Sequence, residues 1–190
     1  MRKLFILIPV LVLMASSLVF AGQETRREAV HSPDPAQAKP AQDAKPNSGQ
    51  VPDAMVFAAN VQRIVVLRFK YNTDLLAVLT KTVKEQKIQN AVILSGIGSV
   101  RNYQVHQVGN REFPVKDVFV KNPTAPADII GMSGFVIGGR VHAHITLASP
   151  DKAFGGHLEP DTTVYTFAIV TLGVLDAGLD LSKIDDLNYR

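Results

Sequence analysis

Between residues 63 and 175 the chain alternates short apolar runs with turn residues, and one stretch breaks that rhythm with helical spacing. RIVVLRFKY (63–71) is rich in β-branched residues and reads as a strand. Over residues 74–87, Leu76, Leu79 and Val83 recur three to four apart with Leu75 beside them, while Lys81, Lys84 and Glu85 fall on the other side. That spacing predicts an amphipathic helix lying on a sheet, with Thr73 as its N-cap. NAVILSGIGSV (90–100) predicts a strand that can bend at Gly96 and Gly98, and RNYQVHQV (101–108) predicts the next one. Gly109 and Asn110 look like a hairpin turn before EFPVKDVFVKN, and DIIGMSGFVIGG, RVHAHITLA and TTVYTFAIVTLGVL supply further strands. One helix among many strands joined by short turns gives an α+β fold with a mostly antiparallel sheet. The domain is expected over residues 61–180, with a polar tail over 181–190.

The N-terminal region follows different patterns. Arg2 and Lys3 precede an apolar run that reaches Phe20, and Val19 and Ala21 put small residues where signal peptidase needs them. Residues 1–21 therefore read as a signal peptide cleaved after Ala21, which places the mature protein in the periplasm or outside the cell with no stable membrane anchor. The alternative, an uncleaved membrane helix, suits the run less well because Pro9 and two serines interrupt it. Residues 22–60 are rich in Pro, Ala, Lys and Gln and nearly devoid of large apolar side chains, so no fixed structure is expected there and His31 is assigned no role.

Composition narrows the chemistry. With 46% hydrophobic and 19% charged residues the chain can bury an ordinary core. Lys and Arg exceed Asp and Glu by 20 to 17, and Arg2 and Lys3 belong to the signal peptide, so the mature protein is close to neutral. Binding to nucleic acid, which draws on neutralised phosphates, is disfavoured. The absence of cysteine excludes thiolate metal sites, disulfides and a lipidated N-terminus, so any metal must be held by His, Asp or Glu.

The stretch GGRVHAHITLASPDKAFGGHLEP (138–160) carries the candidate chemistry. Val141, Ala143, Ile145 and Leu147 alternate with Arg140, His142, His144 and Thr146, so the two imidazoles project from one face of a strand whose other face is apolar. SPDKAFGG reads as a turn that brings His157 back over that strand. Three imidazoles suit Zn²⁺ or another borderline divalent ion and leave a coordination position open to water, an anion or a small molecule. Glu159 can orient a ligating ring, act as a general base on bound water or complete the ligand shell, and Arg140 can meet an anion at the open position or simply be solvated. The competing reading makes these histidines hydrogen-bonded surface or interface groups without metal. His106, on a separate strand, can join them or be unrelated. Gly138 and Gly139 read as a turn, and Tyr165 and Phe167 share a strand face that packs in the sheet or against another subunit.

The strings ILSGIGSVRNYQV, GRVHAHITLASPD and GGHLEPDTTVYTFAIV resemble the PPC (plant and prokaryote conserved) family in unbroken order over residues 63–175. The resemblance implies an α/β domain that assembles as a homotrimer and holds a metal at His142, His144 and His157. Plant members join this domain to an AT-hook that enters the DNA minor groove, and no RGRP-like segment is present here. The resulting expectation is an exported homotrimer with a three-histidine metal site that binds a small molecule, with catalysis left open. A DNA-binding module and a non-catalytic trimeric platform are the alternatives.

Overall fold

A computed structural model describes residues 28–31, 51–111 and 114–186. The signal peptide and most of the tether read from the sequence lie outside these residues. The described elements are β1 (Glu28–His31), β2 (Val61–Lys70), α1 (Leu75–Glu85), β3 (Ala91–Val108), β4 (Asp117–Asn122), β5 (Ala127–Ile137), β6 (Arg140–Ser149), β7 (Lys152–Leu158) and β8 (Thr163–Leu175). All strand pairings are antiparallel, as the short turns lead one to expect. The fold is α+β, with a single described helix.

The helix follows from its sequence. Leu75, Leu79 and Val83 form the stripe that is wholly buried, and the helix lies against β6 and β8. Its N-cap is Asp74, not Thr73: the Asp74 carboxylate accepts from the Ala77 amide at 2.8 Å, while the Thr73 hydroxyl donates to the Lys70 carbonyl. A second oxygen of Asp74 accepts from the Asp161 amide at 2.7 Å, which fastens the helix start to the turn before β8.

β3 is the spine of the molecule. The sequence suggests two strands broken near Gly96 and Gly98, but residues 91–108 run as one strand of 18 residues whose bends are taken up by register shifts against β8. This length lets β3 pair with β5 and β8 along its first half and with β4 and β7 near its end. Because β5 pairs with β6, β6 with β7 and β7 again with β3, these four strands close a ring. Val100, Val105, Val136, Ile145, Leu147, Leu158 and Val170 fill the core, alternating along their strands with outward residues.

Two glycine pairs set the register around this ring. Gly138 and Gly139, with φ of 56° and 78°, form the two-residue hairpin between β5 and β6, and both positive angles suit the tight turn whose twist matches the strands. Gly155 and Gly156, read from sequence as part of a turn, instead lie within β7. A Cβ on Gly155 would strike the Ile145 carbonyl and one on Gly156 the His106 carbonyl, so only glycine lets β7 fit between its two neighbours.

Both ends of the domain carry structure that composition did not suggest. β1 pairs with β4, using backbone groups that a bare sheet edge would leave unpaired, although its residues were read as part of a structureless tether. Residues 176–186 fold back along the sheet instead of trailing away. Leu181 is buried with Ile137 and Leu175, and the Asn90 side chain donates to the Asp176 and Leu179 carbonyls. The buried Leu181, with Leu179 packed beside it, supplies the reason that the segment stays docked. Asp74→Ala should cost up to about 2 kcal/mol in urea unfolding, at the upper end for a cap because two amides lose their acceptor. Gly156→Ala should destabilise by more than about 1 kcal/mol. A Gly156→Ala protein as stable as wild type would show that the contact with β3 is not tight.

Candidate metal centre

Strand register, not sequence proximity, assembles the site. His106 on β3 stands directly opposite His157 on β7, and His157 stands directly opposite His144 on β6. Residues paired in this way have Cβ atoms about 4.5–5.5 Å apart. The period of two then adds His142 beside His144 and Glu159 beside His157 on the same outward face. Behind them Val105, Ala143, Ile145 and Leu158 are buried, so the face carrying the imidazoles is backed by core.

The rings are packed together. His106 and His157 stack with centroids 4.5 Å apart, and His142 and His144 stack at 5.3 Å. His157 meets the second pair edge-on, at 4.9 Å from His142 and 5.5 Å from His144. Phe119 flanks His106 at 5.2 Å, and Asp117 lies 4.0 Å from its Nε2.

Two carboxylates hold the outer edges of this cluster. Glu159 Oε1 lies 2.6 Å from His106 Nδ1 and 3.0 Å from His157 Nδ1. A carboxylate can only accept, so each of these rings donates from Nδ1, and a ring in its neutral form then has its lone pair on Nε2. Asp185 Oδ2 lies 2.9 Å from His142 Nδ1 and 2.8 Å from Arg140 Nη2. Burial alone would raise the pKa of Asp185, but His142 and Arg140 outweigh it and hold the carboxyl below its ordinary value. Arg140, the candidate anion contact read from sequence, lies beside Asp185 with its side chain 65% exposed.

The Nε2 atoms of His142 and His144 are 3.2 Å apart. Which of the two nitrogens carries the proton between them depends on the tautomer, and a cation entering there would displace it. Two nitrogens bound to one tetrahedral Zn²⁺ at about 2.0–2.1 Å stand about 3.3–3.4 Å apart, so this pair already has nearly the separation such an ion requires. Separately, His106, His157 and Glu159 offer ligand atoms that all lie within 4.8 Å of one another, close enough to hold a metal ion.

Of the residues singled out from sequence, His142, His144, His157 and Glu159 converge. His106, whose part was left open, belongs to the cluster, and Asp185 was not foreseen at all. His157 sits on a strand and not on a loop. His106 was recognisable only as a polar residue alternating with Val105, because the pairing that brings it to His157 spans residues far apart in the chain.

Burial lowers the pKa of His144 below the usual 6.5, and the neighbouring imidazoles His142, His157 and His106 lower it further. Burial also lowers that of His157, with His106 and His142 adding to the shift and Glu159 opposing it incompletely. Both rings are therefore neutral and able to ligate near pH 7. The unfolded chain takes up protons at these positions before the folded one does, so their contribution to stability is complete above about pH 6.5 and is lost as pH falls below it. Urea midpoints of the metal-free protein should decline between about pH 7.5 and pH 5.5 more steeply in wild type than in His144→Ala. Equal slopes would show that His144 is not held neutral by its surroundings.

Comparison with known proteins agrees with this architecture. A metal-containing protein of Archaeoglobus fulgidus superposes with a TM-score of 0.55 at 23% identity, over 66% of this chain and 89% of its own. A plant- and prokaryote-conserved protein of Pyrococcus horikoshii gives 0.54 at 23% identity, over 65% and 85%. A candidate DNA-binding protein of Bacteroides thetaiotaomicron gives 0.51 at 17% identity, over 62% and 82%. In sequence, a bifunctional protein GlmU of Synechococcus sp. (strain JA-3-3Ab) is 27% identical over 129 residues, 67% of this chain but only 18% of that much longer protein. The Plants and Prokaryotes Conserved (PCC) domain matches residues 56–176, which take in β2 to β8 and all four clustered histidines, and the chain belongs to that family.

Proposed function

We propose that this protein is an exported homotrimer whose histidine cluster binds a divalent ion, Zn²⁺ by preference, and presents it to a small molecule or anion. The observation that carries this reading is the 3.2 Å separation of the His142 and His144 Nε2 atoms. His157 completes the ligand set from β7, with Glu159 holding its Nδ1 side, an arrangement that fixes ring orientation and makes the imidazole a better donor. When bound, the ion supplies Lewis acidity at an outward-facing site. The metal in the Archaeoglobus fulgidus relative supports the idea that this fold accommodates one.

The close grouping of His106, His157 and Glu159 favours a second arrangement, in which these three are the direct ligands. Substitution separates the two. Wild type, purified without chelator or affinity tag, should contain about one divalent ion per subunit, and none would refute metal binding. His142→Ala and His144→Ala should each abolish tight binding, whereas Glu159→Gln should weaken it by about 10- to 100-fold. If His106→Ala is as damaging as His157→Ala while His142→Ala is mild, the second arrangement holds.

The trimer is supported by an apolar face on the other side of the sheet. Ile64 and Val66 on β2, Ile97 on β3 and Phe167 on β8 remain 55%, 64%, 53% and 37% exposed. Arg68 and Lys70 lie on the same face, so the surface is an apolar patch edged by cations, of a kind that fits burial against further copies of the chain. DNA binding is the weaker reading, because 20 basic against 17 acidic residues leave little surplus charge for phosphates. Export rests on the N-terminal pattern of Arg2, Lys3 and the apolar run that follows. Sedimentation at micromolar concentration should give a trimer, and Val66→Lys should dissociate it. A monomeric wild type would overturn the assembly without touching the metal site.

A further inference from the structure

The segment beyond the family domain reaches the metal centre. The matched domain ends at residue 176, and the chain then turns back along the end of the sheet. Leu181, 3% exposed, packs with Ile137 and Leu175, while the Asn90 amide donates to two carbonyls of the returning segment at 3.0 and 2.8 Å. The Asp180 carboxylate accepts from the Ser182 amide at 2.9 Å. These contacts deliver Asp185 to His142 Nδ1 and Arg140 Nη2, with its own side chain only 16% exposed.

We propose that Asp185 is a positioning residue: it fixes His142 in the Nδ1–H tautomer and turns its Nε2 toward His144, so that residues outside the family domain complete the metal centre. The assignment rests on the metal-binding reading above for its purpose, but not for its geometry. A neutral imidazole carries one proton, and which nitrogen bears it decides whether Nε2 can ligate. Asp185 Oδ2 is buried and forms no hydrogen bond of good geometry, so its 2.9 Å approach to Nδ1 acts as a charge contact that favours the Nδ1–H form, and carboxylate partners of this kind also raise the donor strength of the ring. Glu159 does the same for His157, so opposite edges of the cluster are held by carboxylates from different parts of the chain. Arg140 Nη2 lies 2.8 Å from the same Asp185 oxygen, which places a cation beside that carboxylate.

The test compares full-length wild type, Asp185→Ala, Asp185→Asn and Arg140→Ala. In the metal-free proteins at neutral pH, nitrogen-15 NMR reads the tautomer of His142 directly. Wild type should carry the proton on Nδ1, and Asp185→Ala should move it substantially to Nε2. Asp185→Asn, which keeps an acceptor oxygen, should restore much of the Nδ1–H form. Zn²⁺ affinity, read by competition with a chelator, should fall about 10- to 100-fold in Asp185→Ala. Arg140→Ala should have the smaller effect on both measurements. If Asp185 merely anchors the returning segment, Asp185→Ala will lower thermal stability while the His142 tautomer and Zn²⁺ affinity stay unchanged, and the proposal is overturned. Should wild type bind no metal at all, the reading of the preceding section fails and the tautomer alone decides the role of Asp185.

Discussion

Everything at the candidate site depends on the register of one hairpin. Side chains on a strand alternate with period two, so a slip of a single residue in β6 would carry His142 and His144 into the core and turn Ala143 and Ile145 outward. The two-residue turn at Gly138 and Gly139 prevents that slip, because its length and positive φ angles fix Ile137 opposite Arg140. The apolar face of β6 enforces the same choice energetically. Burying a residue such as Ile145 or Leu147 is worth about 1.5–3 kcal/mol, whereas burying an unpaired imidazole is costly. Core packing and histidine placement are thus the same constraint seen from two faces of one strand.

The second element of the design is the pairing of imidazoles with carboxylates. Four histidines this close would oppose one another if charged, and burial of His144 and His157 adds to the preference for the neutral form. Glu159 and Asp185 then determine where the remaining proton of each backed ring resides. The result is a cluster in which the rings of His106 and His157 are backed by Glu159, that of His142 lies against Asp185, and only His144 lacks a carboxylate neighbour among the described contacts.

Much of this was legible in the chain, and what was not shares a physical cause. The alternation of Val141, Ala143, Ile145 and Leu147 with Arg140, His142 and His144 is a local property, and it gave the correct face. The stripe of Leu75, Leu79 and Val83 gave the helix in the same way, although the choice between Thr73 and Asp74 as cap turned on a side-chain hydrogen bond. The partnership of His106 with His157 could not be read, because it is made by β7 lying between β3 and β6, a pairing of distant segments. Gly155 and Gly156 misled for a related reason: glycine marks turns, and it also marks places where a neighbouring backbone comes too close for a Cβ. The contribution of Asp185 was hidden because the residues that anchor its segment, Leu181 with Leu179 beside it, carry no periodic signal.

The ring formed by β3, β5, β6 and β7 has a kinetic corollary. Its closing strand brings together residues some fifty positions apart, and β8, which covers the other edge of the spine, pairs with a segment more than sixty positions earlier. Non-local pairings of this kind must meet their loop-closure entropy before they return any stabilisation, which makes folding slow and cooperative. The imidazoles on β6 can lie side by side as soon as their hairpin forms, but the full cluster exists only once β7 is seated. Partly folded chains therefore present a two-histidine hairpin, and ordering of the complete histidine cluster becomes one of the last events as the chain reaches its native state.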